Sequence, residues 1–220
     1  MQRRDALKIA GGATLGLLGA SAGGLAWLKH WSDPQTPLHY AFSPESLSPP
    51  LAPTPARAHV HPTDAEIEGP FYTPNTPRRT ALAAPGTVGT PLVIVGRVLT
   101  PDGLPVAGAV LDVWNCDGRG VYDTDGFNLR GHQYTDASGT FRVETVKPGD
   151  YHSAGLHRTP HVHVKAQGRE TRLLTTQLYF PGEPLNAHDF FFDPDLVLRV
   201  QLAAGGSLAA QFTIVLAPRA

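Results

Sequence analysis

The most informative residues are two histidines two positions apart in residues 158–165 (RTPHVHVK). Side chains alternate between the faces of a β-strand, so His161 and His163 would point the same way and could grip one metal ion through two imidazoles. Val162 and Val164 would then face the core. The spacing alone is a weak indication, because ordinary surface or core histidines produce it as well.

The other histidine pair and the cysteine content limit what kind of metal site is expected. His59-Val60-His61 has the same spacing but lies in a Pro- and Ala-rich stretch without a strand pattern, and we interpret it as a solvated segment. The chain has one cysteine, Cys116, which we expect to be buried and inert. Neither an intrachain disulfide nor a multi-thiolate zinc or iron–sulfur site can therefore form. A metal would be held by His, Tyr, Asp or Glu.

Four further segments accompany the histidine pair. They are residues 68–72 (EGPFY), 113–123 (VWNCDGRGVYD), 147–151 (KPGDY) and 175–182 (TTQLYFPG). Together and in this order, the five segments resemble the intradiol ring-cleavage dioxygenases, and the match is closest to the catalytic domain of the protocatechuate 3,4-dioxygenase type. The resemblance runs from about residue 63 to residue 216.

The resemblance implies one ferric ion per chain, held by Tyr122, Tyr151, His161 and His163. The donor types agree with it, because phenolate is a hard anionic ligand that favours Fe(III) and imidazole completes the site without thiolate. A free tyrosine titrates at a pH of about 10, but a bound trivalent cation would hold it deprotonated. The alternative for either tyrosine is an ordinary strand-end aromatic with a hydrogen-bonded hydroxyl.

The resemblance also implies residues that face the substrate. Arg158 matches the family's active-site arginine, where a fixed cation would stabilise carbanion character on the ring; the alternative is a strand-edge arginine paired with a carboxylate. Gln177 matches a polar residue beside the iron that would orient Arg158 or hydrogen-bond a ligand, or it is simply a cross-strand hydrogen bonder. Gly69 and Pro70 would pass close to the substrate ring, unless they only form a turn before the first strand.

The implied reaction uses O2 to split a catechol-type ring between its two hydroxylated carbons, which gives a muconate-type diacid. Both oxygen atoms enter the product, and no external reductant is needed because the substrate supplies the electrons. By the family's pattern, Tyr151 is released from the metal when the catechol binds. Ser153 stands where the protocatechuate enzymes carry a tryptophan, so we expect a more open pocket wall.

Short strands separated by Gly- and Pro-containing turns must position these residues. Apolar or alternating runs predict strands at 92–99, 109–114, 139–146, 161–166, 174–180, 196–202 and 211–216. In the third run, Phe141 and Val143 would lie on one face and Arg142 and Glu144 on the other. The pattern predicts an all-β domain of two packed antiparallel sheets over residues 59–220, without amphipathic helices, and the resemblance specifies a prealbumin-like β-sandwich.

The residues before this domain predict export. Residues 1–30 combine Arg3-Arg4 with an apolar run at 9–28 and small residues at 20–22, which resembles a twin-arginine signal. The apolar run is also just long enough for an uncleaved membrane anchor. Residues 31–58 are rich in Pro, Ala and Ser and predict an extended linker. The catalytic part would lie in the periplasm or outside the cell, and would meet a membrane only if the signal stays uncleaved.

The charge balance and two alternatives complete the expectations. Net charge is −1 and the sequence pI about 6.8, with scattered Lys and Arg, so we expect no nucleic-acid partner. The expected partners are a catechol-type substrate and O2, and a homo-oligomer is compatible with the sequence. Residues 95–110 also resemble non-catalytic prealbumin-like modules of exported proteins, which bind or act as spacers. A third hypothesis is a metal-storing or copper- or zinc-binding protein. Only the dioxygenase accounts for two tyrosines and a histidine pair in this order.

Overall fold

The computed structural model describes residues 61–219, which form ten β-strands and three short 3₁₀-helices. The strands are β1 (Pro91–Leu99), β2 (Val110–Trp114), β3 (Arg130–Tyr134), β4 (Thr140–Val146), β5 (Tyr151–Ser153), β6 (Leu156–Arg158), β7 (His161–Gln167), β8 (Leu174–Tyr179), β9 (Arg199–Leu202) and β10 (Leu208–Val215). The 3₁₀-helices are Pro184–Ala187, Pro194–Leu196 and Ala204–Gly206. Within the described range, no helix is long and apolar enough to cross a membrane. The predicted signal (residues 1–30), the predicted linker (residues 31–58) and residues 59–60 and 220 of the predicted domain lie outside it.

Two four-stranded sheets form the body of the domain. One has the order β4-β1-β10-β9 and the other β3-β2-β7-β8, while β5 and β6 form a separate hairpin. All pairings are antiparallel except β1 with β10, which run parallel with Leu92 opposite Leu208. The parallel pair arises because the last strand inserts between the first strand and β9. The predicted all-β sandwich is confirmed.

A single apolar core joins the two sheets. Inward-facing side chains of both sheets share it, including Ile94, Val98, Phe141, Val143, Ala210 and Ile214 from one and Leu111, Val113, Val162, Val164 and Leu178 from the other. Full burial of such an aliphatic or aromatic side chain contributes about 1.5–3 kcal/mol. The predicted alternation is confirmed, because Phe141 and Val143 are buried while Arg142 and Glu144 are partly exposed. The core thus fixes the inward face of β7, which leaves His161 and His163 on the other face.

Three parts of the fold differ from the prediction. Strand β3 (RGHQY) and the hairpin β5–β6 were not predicted, because their many polar residues show no apolar alternation. The strand predicted at 196–202 is wrong in its first part, because Pro194–Leu196 is a 3₁₀-helix and β9 begins only at Arg199. The Asp193 side chain accepts a hydrogen bond from the amide of Asp195 and caps that turn.

Candidate metal and substrate site

The four predicted metal ligands come from three separate parts of the fold. His161 and His163 lie at the start of β7, Tyr151 begins β5, and Tyr122 lies in the loop between β2 and β3. All four are buried, with exposed fractions of 1% for each histidine, 8% for Tyr122 and 9% for Tyr151. The two Nε2 atoms are 3.1 Å apart, and Tyr151 Oη lies 3.3 Å from His161 Nε2. The structure therefore brings the four side chains together, as the sequence predicted.

The two imidazoles are neutral and present nitrogen atoms to each other. His161 Nδ1–H donates to the Thr159 carbonyl at 2.6 Å, so its Nε2 carries a lone pair. Burial lowers the pKa of His161 to about 3, helped by the Arg158 guanidinium, and burial also holds the pKa of His163 well below its usual range. A hydrogen bond between the Nε2 atoms would leave His163 Nδ1 as an unpaired buried acceptor. If His163 Nδ1 carried the proton instead, the lone pairs of the His161 and His163 Nε2 atoms would face each other. A cation bound between the two nitrogens would remove this repulsion.

The tyrosine hydroxyls also fit a cation. Tyr122 Oη is buried and makes no hydrogen bond of normal geometry with the described residues, an arrangement that costs about 1–3 kcal/mol. Burial, with the neighbouring Tyr151 adding to it, holds the pKa of Tyr122 well above its usual range. Burial also raises the pKa of Tyr151, against the opposing effects of Tyr122 and Arg158. A ferric ion would replace the lost hydrogen bonds and stabilise both phenolates.

No other metal-ligand cluster competes with this set in the described chain. Residues 61–219 contain no group of three or more His, Cys, Asp or Glu arranged to hold a metal ion. The side chains beside His161 and His163 that offer oxygen atoms are Tyr151, whose Oη is 3.3 Å from His161 Nε2, and Tyr122, whose ring centroid is 6.3 Å from that of His163. Two phenolates and two imidazoles form a donor set suited to Fe(III).

Two aromatic side chains fix the orientation of the ligand rings. Phe71 stacks on Tyr122 with ring centroids 4.3 Å apart, and Trp114 stacks on His163 at 4.6 Å. Both lie in the motif segments quoted above, but nothing in their type or spacing predicted these contacts. Together they cover one side of the cluster and limit its access to water. Cys116 is buried beside it, and burial raises the pKa of its thiol to about 12, which agrees with the predicted inert role.

Arg158 is held next to the ligand cluster. It lies directly opposite Tyr151 in the β5–β6 hairpin, so the two side chains share a face. Its Nη2 donates to Gln177 Oε1 at 2.6 Å, and its Nε donates to both oxygens of Asp189 at 3.0 and 3.1 Å. The structure thus shows the carboxylate pairing that the sequence left open as an alternative, together with the predicted orientation of Arg158 by Gln177. Asp189 was not predicted, because nothing in its segment indicates a partner 31 positions away.

The segment before the first strand crosses close to the site. A side chain at Gly69 would place its Cβ 3.6 Å from His163 Cε1, and the φ of this glycine is +73°. Gln177 Nε2 donates to the Ile67 carbonyl at 2.9 Å and ties the segment to β8. Gly69 therefore lies beside a predicted ligand, while its contact with the substrate ring stays a prediction. Pro70 is exposed, and its contact with a substrate stays a prediction.

An open cleft of about 430 Å³ lies between the β5–β6 hairpin and residues 185–190. Leu156 and Phe190, both exposed, belong to its walls, and Asp189 contributes to its lining. His157 at its rim pairs with the Asp150 carboxylate at 2.6 Å. The lining includes Asp189, which binds Arg158, but none of the four predicted ligands.

The chain is similar to known dioxygenases. The family model described as Dioxygenase (Dioxygenase_C) matches residues 67–218. The chain is 35% identical over 155 residues to catechol 1,2-dioxygenase 1 of Acinetobacter lwoffii, covering 59% of this chain and 50% of that protein. It is also 35% identical over 156 residues to the protocatechuate 3,4-dioxygenase beta chain of Burkholderia cepacia, covering 60% and 66%. The chain thus spans about half of the first relative and just under two thirds of the second.

Solved structures show the same fold. The dioxygenase domain of a dioxygenase carbohydrate-binding protein fusion from Streptomyces sp. SirexAA-E is 44% identical, with a TM-score of 0.67, covering 72% of this chain and 100% of that one. Hydroxyquinol 1,2-dioxygenase from Pseudomonas putida DLL-E4 is 28% identical with a TM-score of 0.65, covering 72% and 67%. With its β-sandwich and its cluster of two tyrosines and two histidines, the chain belongs to the intradiol dioxygenase family.

Proposed function

We propose that this chain is a non-haem Fe(III) dioxygenase that cleaves a catechol-type ring between its two hydroxylated carbons and releases a muconate-type diacid. The observation that carries the proposal is the buried convergence of Tyr122, Tyr151, His161 and His163, one of whose oxygens makes no hydrogen bond of normal geometry with the described residues. Membership of the family supports it, as do relatives named for catechol, protocatechuate and hydroxyquinol.

The four clustered side chains would hold one ferric ion. When bound, Fe(III) would withdraw electron density from the catecholate and make the ring reactive toward O2. His161 and His163 are neutral at physiological pH and would bind without releasing a proton, because their pKa values are lowered by burial. Each tyrosine has to lose its proton, which the charge of the ion favours.

Tyr151 is the proposed acceptor of a catechol proton. It lies on a two-stranded hairpin that is not part of either sheet, whereas Tyr122 is covered by the stacked ring of Phe71. Movement of Tyr151 would therefore disturb less packing than movement of Tyr122. A phenolate leaving its ligand position would regain its basicity and take up the proton that the catechol releases.

Arg158 is the proposed electrostatic residue of the reaction. Its side chain is 5% exposed, so little water screens its charge. The hydrogen bond to Gln177 holds it before substrate arrives, so that no reorganisation is needed when negative charge develops on the ring.

Isotope labelling tests the proposed reaction. The iron-loaded protein is incubated with catechol under ¹⁸O₂, and the product is examined by mass spectrometry. We expect a diacid with two labelled oxygen atoms, one in each new carboxyl group. An aldehyde-containing product would show that the ring opens beside the hydroxyls rather than between them, and an unconsumed substrate would contradict the proposed activity altogether.

A further inference from the structure

The carboxylate of Asp189 is a buried group that the proposed reaction does not itself use. Its side chain is 1% exposed and accepts from three donors: Arg158 Nε, whose one N–H is shared between both carboxylate oxygens, the Thr159 amide at 2.8 Å and the Phe191 amide at 3.0 Å. Buried carboxylates carry a large desolvation cost unless such bonds offset it. The hydrogen bonds of Asp189 therefore offset the cost of burying its charge, and the Arg158 guanidinium is its charged partner.

The guanidinium of Arg158 is held on three sides. Asp189 holds Nε, Gln177 holds Nη2, and the ring of Phe191 covers one face with its centroid 4.8 Å from Cζ. The Tyr179 hydroxyl, which donates to Gln177 Oε1 at 3.1 Å, accepts a further hydrogen bond from Arg158. These contacts hold the guanidinium of a side chain that shares a face with Tyr151.

Asp189 also connects Arg158 to a ligand histidine. It accepts from the amide of Thr159, and the carbonyl of Thr159 accepts from His161 Nδ1 at 2.6 Å. One carboxylate therefore fixes the Arg158 side chain, the backbone that orients His161, and the segment that supplies Phe191. Thr159 contacts Asp189 through its amide and His161 through its carbonyl. Without Asp189, Thr159 would therefore not link His161 to Arg158.

We propose that Asp189 is a positioning residue that, together with Phe191, holds the guanidinium of Arg158 beside the ring of the bound substrate. The inference rests on the proposed function. Asp189 acts through Arg158 and touches neither the substrate nor the metal. Its negative charge also balances the buried guanidinium, which would otherwise face two neutral imidazoles and a trivalent cation.

Kinetics of Asp189→Asn in the full-length, iron-loaded protein provide the first test. The amide keeps the shape of the carboxylate but loses its charge and one acceptor, so the guanidinium loses its fixed geometry. We expect kcat for catechol to fall about 10- to 100-fold, as for other residues that position a catalytic group without contacting the substrate. KM, iron content and the visible absorption band should stay near wild type. Asp195→Asn, the same change at an exposed carboxylate, is the matched control and should leave kcat unchanged.

A double-mutant cycle separates positioning from a general structural role. If Asp189 acts through Arg158, Asp189→Asn should have no further effect on kcat in an Arg158→Ala background. An equal loss in both backgrounds would overturn the inference. Should Asp189→Asn fail to fold, Phe191→Leu removes the covering ring without touching the buried charge pair. Its expected loss of about 3- to 10-fold in kcat should likewise vanish in the Arg158→Ala background, and persistence of that loss would overturn the inference.

Failure of this inference differs from failure of the proposed function. A wild-type protein that binds iron but does not turn over catechol would contradict the proposed function. An active wild type whose Asp189→Asn variant is equally fast would contradict the positioning role alone.

Discussion

The two tyrosines of the site differ in how firmly the surrounding residues hold them. Tyr122 stacks on Phe71 and lies 6.0 Å beneath the Arg130 guanidinium, whereas Tyr151 makes edge contacts from a small separate hairpin. The Tyr122 hydroxyl makes no hydrogen bond of normal geometry with the described residues, and Tyr151 Oη lies within 3.3 Å of His161 Nε2. These surroundings favour Tyr122 as the permanent ligand and Tyr151 as the exchangeable one.

Replacing Tyr122 by Phe separates metal binding from folding. The change removes only an oxygen that makes no hydrogen bond of normal geometry with the described residues, so the iron-free variant should be as stable as wild type or more stable by about 1 kcal/mol. The same variant should lose most of its iron, because one of the two anionic ligands is gone. Iron per chain and the free energy of unfolding in urea measure the two effects.

Tyr134→Phe is the matched control, since that tyrosine is largely exposed and remote from the ligand atoms. It should keep its iron. A Tyr122→Phe protein with a full complement of iron, or a His161→Ala protein with full activity, would contradict the ligand assignment.

The sequence pointed to the four clustered side chains but not to the residues that support them. Tyr122, Tyr151, His161 and His163 stand in motifs whose order along the chain is informative. Asp189 and Phe191 stand in a segment without strand alternation, and their contacts with Arg158 depend on how the chain returns to the hairpin. Such contacts between distant segments leave no local pattern in a single sequence.

Among the elements, the strands with apolar alternation were predictable and those held by polar contacts were not. Strand β1 occupies Pro91–Leu99, close to the predicted 92–99. Strand β3 begins with Arg130, which is 1% exposed and donates to the carbonyls of Asp123 and Phe71. In the sequence a buried arginine of this kind cannot be told from a solvated one, so β3 was missed.

Gly96 allows β1 to pack against its neighbours. A Cβ at this position would lie 2.2 Å from the Phe212 carbonyl oxygen and 2.4 Å from Phe141 Cζ. Gly96→Ala should therefore lower the free energy of unfolding of the iron-free protein by about 3 kcal/mol, at the upper end of typical overpacking costs. Denaturation by urea measures the loss.

Gly103→Ala is the control for that substitution. Gly103 has a φ of +77° but no atom within 4 Å of a built Cβ, so only the backbone cost of about 1 kcal/mol applies. Equal losses in the free energy of unfolding of the two variants would show that contacts with Phe212 and Phe141 do not determine the cost of a side chain at Gly96.

The turn between β3 and β4 is held by the carboxylate of Asp136. Burial opposes its ionisation, but hydrogen bonds from the Ser138 side chain and the Thr140 and Ser138 amides outweigh this and lower its pKa. A lowered folded-state pKa gives stability that is present above the unfolded value, at a pH of about 4, and is lost as pH falls through the folded value.

Asp136→Ala should consequently reduce the free energy of unfolding by about 1 kcal/mol at neutral pH. The difference from wild type should shrink as the pH falls below about 4. Unfolding of the iron-free protein across that range is the measurement. Asp102→Ala, at an exposed turn residue whose side chain makes no hydrogen bond with the described residues, is the control and should show only a small difference at neutral pH. A constant difference for Asp136→Ala would contradict the assigned role.

For the whole molecule, the family match covers residues 67–218 and leaves the N-terminal segment to be tested separately. We propose export through the twin-arginine-type signal of residues 1–30, on the strength of Arg3-Arg4 and the apolar run that follows. The combined substitution Arg3→Lys and Arg4→Lys should leave the full-length chain in the cytoplasm, as judged by cell fractionation. The control changes the exposed Arg169 and Arg172 to Lys and should not alter location. Unchanged export of the Arg3→Lys, Arg4→Lys protein would contradict this route.

The visible absorption spectrum of the iron-loaded protein, recorded without oxygen before and after addition of catechol, tests the central claim most directly. Two tyrosinates bound to Fe(III) predict a broad charge-transfer band, and direct binding of catechol with release of Tyr151 predicts that this band shifts. A protein that stays colourless after anaerobic iron loading would contradict the ferric site and favour a non-catalytic binding module on the same sandwich.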